Sequence, residues 1–329
     1  MTRRAVAFGC EGLRLTAGER RFFGRADPVG FILFARNLEA PDQVRALTSE
    51  LRDSVGWNAP VLIDQEGGRV QRMGPPHWRA YLPALDQMER AREPMRAQWL
   101  RNRLIADELH AVGIDVNCAP LADLVEPETH AVLRNRLYGS DVETVVEAAR
   151  TCAEALLSGG VLPVLKHIPG YGRAQVDSHL ELPRIDLPAE ELAARDFAPF
   201  RALNDLPMGM TAHIVVSDID PDHPATTSER MIALIRQEIG FSGLLFSDDI
   251  GMEALSGPVP DRAAACLDAG CDVALHCNGE LAEMEAVAGA CGPLTERGAE
   301  RLQAALARRT APQPIDTGAL IAELSDLLN

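Results

Sequence analysis

Three short stretches place polar groups where an apolar run stops. "LPVLKHIPG" (162–170) ends its run on Lys166 and His167, and Asp177 and His179 follow two residues apart in the same loop. "GLLFSDDIGM" (243–252) ends its run on Asp248 and Asp249, and "PVLIDQEGGRVQR" (60–72) ends on Asp64, followed by Gly67-Gly68, Arg69 and Arg72. A carboxylate beside an imidazole fixes its tautomer and raises its basicity. A nucleophilic carboxylate with a separate proton donor is what covalent glycoside cleavage requires. Each stretch also has an ordinary reading. Asp177 can close an Asx-turn with His179 merely exposed, the paired aspartates can cap a helix, and the glycines can form a tight turn between solvated arginines. With two aspartates in a row, the second can cap while the first points inward.

These groups need a scaffold that gathers strand ends. Strand candidates are 5–9, 30–34, 60–64, 114–118, 162–166, 208–214, 244–248 and 272–277. Segments at helical spacing separate them, such as 141–160, where Val142, Val145, Val146, Ala149, Ala153 and Leu156 recur and Gly159 offers a stop. Eight strands alternating with helices predict an α/β fold, a single (β/α)8 TIM-like barrel over 1–329, with 310–329 as a C-terminal helical tail. An open doubly wound sheet is the alternative, but no glycine-rich phosphate fingerprint opens a βα unit. In a barrel, chemistry collects at the C-terminal ends of the strands. Those ends supply Asp64, Asn117, Lys166 with His167, His213, and Asp248 with Asp249. Two glycines after Asp64 would let the backbone approach a ligand closely.

The formal charge is −16 and the pI near 4.9, so nucleic acid and anionic membrane surfaces are not expected partners. The seven cysteines are scattered and never spaced Cys-x-x-Cys, which predicts reduced thiols in a cytoplasmic protein. The start, "MTRRAVAFGCEG", lacks the apolar core of a secretion signal, and no run approaches the ~20 apolar residues of a membrane span.

"GFILFARN", "IDQEGGRVQR", "KHIPGYGRAQVDSH" and "GLLFSDDIGMEAL" together resemble family 3 glycoside hydrolases, specifically bacterial single-domain β-N-acetylglucosaminidases of peptidoglycan recycling. The likeness runs from about residue 5 to 280 with the motifs in order. It implies a retaining mechanism without metal or cofactor. Asp248 would be the nucleophile, His179 the general acid/base and Asp177 its partner. Asp64, Arg72, Arg136, Lys166 and His167 would bind the N-acetylglucosamine ring, and the pocket would be locally positive despite the acidic chain. The glycine-rich turn would let His179 swing over the scissile oxygen. The substrate would be a small muropeptide or N-acetylglucosaminide, and the enzyme a cytoplasmic monomer.

The chain departs from the family pattern at Ile168 and Tyr171, where Phe and His are usual, and in "NRLY" (135–138) and "SDDIGM" (247–252). The four-residue gap between Gly172 and Asp177 is kept. Rival readings are a phosphorylase, a glycosidase for another sugar, a non-catalytic sugar-binding protein, a Schiff-base lyase on Lys166, and a metal-dependent hydrolase using His167, His213 and Asp248.

Overall fold

A computed structural model of the chain describes residues 3–176 and 181–329. Parallel strands close into a barrel in chain order: β1 (Arg4–Phe8), β2 (Pro28–Leu33), β3 (Val61–Ile63), β4 (Val116–Asn117), β5 (Leu162–Ile168), β6 (Met208–Thr211), β7 (Leu244–Asp249) and β8 (Val273–His276). β8 pairs back onto β1 through Val6–Ala274 and Phe8–His276. The expected (β/α)8 barrel is present, and each strand overlaps one of the eight apolar runs. Two runs overshoot the most: 114–118 shrinks to Val116–Asn117, and 208–214 stops at Thr211. In the first, the Asp115 side chain takes the Val61 N–H in place of a backbone carbonyl. In the second, His213 turns aside to bond Thr226 and the Asp249 carbonyl.

The pleat explains why the runs are continuous rather than alternating. Ala5, Ala7, Leu62, Leu244 and Phe246 face the barrel interior. Their neighbours Val6, Phe8, Val61, Ile63 and Leu245 face the surrounding helices. Each fully buried Val, Leu, Ile or Phe among them stabilises the fold by roughly 1.5–3 kcal/mol, so burial on both faces drives the sheet closed. Leu294, Leu302 and Ala305 join the interior cluster from the segment leading into and along helix Glu296–Ala307. The same segment meets the start of β1, where Leu294 N–H bonds the Arg3 carbonyl. The helix therefore plugs the N-terminal end and leaves the C-terminal end open.

The helix expected around 141–160 runs Val142–Ser158. Asp141 caps it by accepting the Thr144 N–H, and Val145, Ala149, Cys152, Ala153 and Leu156 make its buried stripe. The tail forms helix Thr317–Leu328, which buries Leu324 and Leu327. Arg96 grips Glu323 with two contacts of 2.6 and 2.7 Å. Both partners are about two-fifths exposed (41% and 42%), so that pair adds at most about 1 kcal/mol and the leucines dominate the docking. Among the described residues, no helix is long and apolar enough to cross a membrane.

Candidate active site

The open end of the barrel holds a cavity lined by Asp64, Arg72, Arg136, Lys166, His167, Tyr171, His213, Asp248 and Asp249, with Arg69 and His130 beside them. Of the strand-end and motif residues expected at the site, all within the described segments but Asn117 are therefore gathered in one place. Asp177 and His179 lie outside the described residues; Val176, just before them, lines the same cavity.

The floor of the cavity is a chain of ion pairs. After β3 the chain makes a small antiparallel ribbon, Gln65–Gly67 against Val70–Gln71, which folds Arg72 back over Asp64. Gln65 fixes that return, its side-chain oxygen accepting the N–H groups of Arg72 and Met73 at 2.9 and 3.0 Å. Asp64 then accepts from Arg72 at 3.1 Å and from Lys166 at 2.9 Å. Lys166 also reaches Glu66 at 2.7 Å, and Glu66 takes Arg136 with two parallel bonds of 2.9 Å. Burial alone would raise the Asp64 carboxyl, but Lys166 and Arg72 outweigh it and hold it well below the ordinary range. Burial likewise opposes ionisation of Glu66, yet Arg136 and Lys166 bring its pKa down to about 2. For Lys166 burial disfavours the ammonium, and Asp64 and Glu66 outweigh that, leaving its pKa above the usual lysine value. Asp64, Glu66, Lys166 and Arg136 therefore stay charged at neutral pH, and the whole chain of ion pairs is held as rigid donors and acceptors.

Asp248 and Asp249 end β7 and are driven apart. Burial works to raise the Asp248 carboxyl, but His213, His167 and the Asp249 N–H, which donates to Oδ1 at 2.8 Å, bring it below its ordinary value. Asp249 is raised, first by burial and further by the charge on Asp248, although Gly251 N–H donates to its Oδ1 at 2.9 Å. Two adjacent carboxyls with opposite shifts mark an ionised group beside one that holds its proton longer. The second aspartate closes a local turn through Gly251 rather than capping a helix, and both carboxyls line the cavity.

Three groups that sequence reading did not single out support this arrangement. Glu66 joins Arg136 to Lys166; its place in "DQEGG", between two residues that were singled out, was the available signal. Asp123, in "APLADL", accepts from His167 Nδ1 at 2.9 Å and from Tyr171 N–H at 2.7 Å, and no local pattern pointed to it. Thr226 bonds His213 Nδ1 at 2.8 Å.

Some expectations are corrected. Asn117 does not line the cavity: its side chain pins the Gln65 backbone at both N–H and C=O. The glycines after Asp64 make room for protein and not for ligand. Gly67 has φ +95°, and a Cβ there would collide with the Arg101 guanidinium and meet Tyr81. Gly172 likewise lies against the Leu124 carbonyl, where a Cβ would collide, so close packing alone accounts for glycine at that point. Nor is the pocket simply positive, because Arg72, Arg136 and Lys166 are interleaved with Asp64 and Glu66. The departures Leu137 and Tyr138 are buried in the core cluster, outside the cavity lining.

The rivals fit the geometry poorly. A Schiff-base lysine needs a depressed pKa, and Lys166 is shifted the other way. A metal would need free imidazole nitrogens, but His213 commits both of its own, to Thr226 and to the Asp249 carbonyl. Among the described residues no group of three His, Cys, Asp or Glu is placed to hold a metal ion.

Residues 25–309 match the glycosyl hydrolase family 3 N-terminal domain. A protein named β-hexosaminidase from Alkalilimnicola ehrlichii is 40% identical over 83% of this chain and 80% of its own. Another of that name from Methylococcus capsulatus is 38% identical over 96% of this chain and 94% of its own. Among solved structures, NagZ from Neisseria gonorrhoeae in complex with N-trifluoroacetyl-D-glucosamine is similar at TM-score 0.86 and 32% identity, covering 100% of this chain and 99% of that one. A family 3 β-N-acetylglucosaminidase from Paenibacillus is similar at TM-score 0.88 and 28% identity, covering 98% of this chain and 67% of that one. With a match spanning most of the barrel and relatives alike nearly end to end, the chain belongs to glycosyl hydrolase family 3 and is a glycoside hydrolase.

Proposed function

We propose that the chain is a retaining exo-β-N-acetylglucosaminidase that removes a terminal N-acetylglucosamine from 1,6-anhydromuramyl disaccharides or their peptides during peptidoglycan recycling. The hydrolase is of the β-N-acetylhexosaminidase type, the name its curated relatives carry. The observation that carries the mechanism is the split pair at the end of β7, with Asp248 kept ionised at the cavity wall. The Asp248 carboxylate attacks the anomeric carbon as the leaving-group oxygen takes a proton from His179, with Asp177 orienting the imidazole. Water then cleaves the glycosyl-enzyme, with His179 as base. Asp64, Arg72, Arg136, Lys166 and His167 hold the sugar, and their mutual ion pairs keep that surface rigid before substrate arrives. No cofactor takes part in these steps. A cytoplasmic monomer is the proposed setting, supported by seven free, buried cysteines.

The test is covalent trapping. A 5-fluoro N-acetylglucosaminide should label the enzyme on Asp248, and a label on Asp249 or Asp64 would overturn the assignment. Running turnover with and without inorganic phosphate separates free N-acetylglucosamine, the product expected here, from the sugar phosphate a phosphorylase would release.

One specific observation favours a second reading of the acid. Asp249 lines the cavity with a raised pKa and could protonate the leaving group. If Asp249, and not His179, is the donor, Asp249→Asn should spare a dinitrophenyl glycoside, whose phenolate leaves unaided, and cripple an alkyl one. His179→Ala should show that pattern under the preferred reading.

A further inference from the structure

We propose that Asp123 is a positioning residue that fixes the tautomer in which the His167 imidazole meets the sugar, so that Lys166 and His167 present a matched donor and acceptor to one hydroxyl. This rests on the sugar-binding reading above. Asp123 is buried (1% exposed) behind the cavity, between β4 and β5. Its Oδ1 accepts the Tyr171 N–H at 2.7 Å, and its Oδ2 accepts the His167 N–H at 3.3 Å. Backbone N–H groups can only donate, so both oxygens are acceptors where they meet the chain. Oδ2 also meets His167 Nδ1 at 2.9 Å, which places the ring proton on Nδ1. In the neutral ring Nε2 is then a bare acceptor. It makes no hydrogen bond among the described residues, and His167 lines the cavity next to Lys166. Lys166 has three N–H bonds; two point at Asp64 and Glu66, so one remains for a ligand. A sugar hydroxyl seated between them accepts from Lys166 and donates to His167. With the opposite tautomer the hydroxyl would face two donors and could satisfy only one.

Asp123→Asn keeps the shape but turns an amide N–H₂ toward Nδ1 or strips Tyr171 of its acceptor. In the first orientation the ring proton is driven to Nε2; in the second it stays on Nδ1 but the loop that seats the ring loses the Tyr171 contact. The expected loss in kcat/KM is on the order of 10–10²-fold, the usual scale for a partner that orients a histidine ligand. It should be equal for a dinitrophenyl and an alkyl N-acetylglucosaminide, because the contact is to the sugar and not to the leaving group. Two readouts exclude a merely structural role. In the wild-type enzyme, nitrogen-15 NMR of His167 should report the proton on Nδ1. In a His167→Ala background, adding Asp123→Asn should change kcat/KM by less than about twofold, since coupled residues are not additive. A wild-type His167 protonated at Nε2 alone, an undiminished Asp123 effect without His167, or a loss confined to the alkyl glycoside would each overturn the proposal. The NMR result stands even if Asp123→Asn does not fold. Failure of Asp248 trapping would sink the mechanism above without touching the tautomer.

Discussion

The two ends of the barrel use the same residue types for opposite ends. At the closed end, Asp272 precedes β8 and sits between Arg236 at 2.6 Å and Arg301 at 2.8 Å. Asp115 precedes β4 and sits between Arg52 at 3.0 Å and Arg309 at 2.5 Å. At the open end, Asp64 follows β3 and sits between Arg72 and Lys166. What differs is the remaining acceptor capacity. Asp272 also takes the Leu245 N–H and Asp115 the Val61 N–H, so both are stitched into neighbouring strands. Asp64 accepts only side chains among the described residues and faces the cavity. A carboxylate bound to cations and backbone holds the sheet together. One bound to cations alone, at a cavity wall, keeps a lone pair for a ligand.

The sharpest way to break this contrast is to remove a group at each end. Asp248→Asn should lower kcat by at least ~10⁴-fold, the scale for losing a nucleophile, with the unfolding midpoint nearly unchanged. A variant that keeps a hundredth of its activity would remove Asp248 from the covalent step. Asp272→Ala should do the reverse. It strands two arginines at the closed end and should cost about 3–5 kcal/mol in denaturant unfolding, while kcat/KM of the folded enzyme stays within about twofold. An activity loss well below its unfolding transition would show that the two ends are coupled.

Arg136→Ala sharpens the comparison within the mouth. It leaves Glu66 held by Lys166 alone and removes a donor from the cavity, so kcat should fall and KM rise together, by ~10–10²-fold in kcat/KM. Unchanged kinetics would confine Arg136 to scaffolding, like the arginines at the closed end.

The smallest effect expected is in acid. The pKa values of Glu66 and Asp64 are depressed by folding, Glu66 to about 2 and Asp64 well below its ordinary range. A depressed carboxylate stabilises the fold above its unfolded pKa of roughly 4, and loses that contribution as pH falls through the folded value. The thermal midpoint should therefore decline between about pH 4.5 and pH 2, less steeply in Glu66→Gln. An identical slope in that variant would mean that Glu66 contributes nothing to acid sensitivity.

The sequence alone determined the architecture and most of the site. Eight apolar runs with helical spacers dictate the barrel, because strands buried on both faces must be continuously apolar and a barrel puts every C-terminal end at one mouth. That geometry made Asp64, Lys166, His167 and Asp248 legible as polar residues closing apolar runs. Arg72, Asp177 and His179 stood out by their neighbours but took their roles from motif resemblance, which alone pointed to Arg136; Asp177 and His179 lie outside the described residues. Only the tertiary structure decided who partners whom. Glu66 and Asp123 act across 70 and 44 residues of chain, on Arg136 and His167. Asn117 looked like its neighbours in the strand-end pattern, yet it serves the backbone. Local sequence fixes which face a side chain leaves from. Its charge state and its partner depend on groups that only folding brings within hydrogen-bond reach.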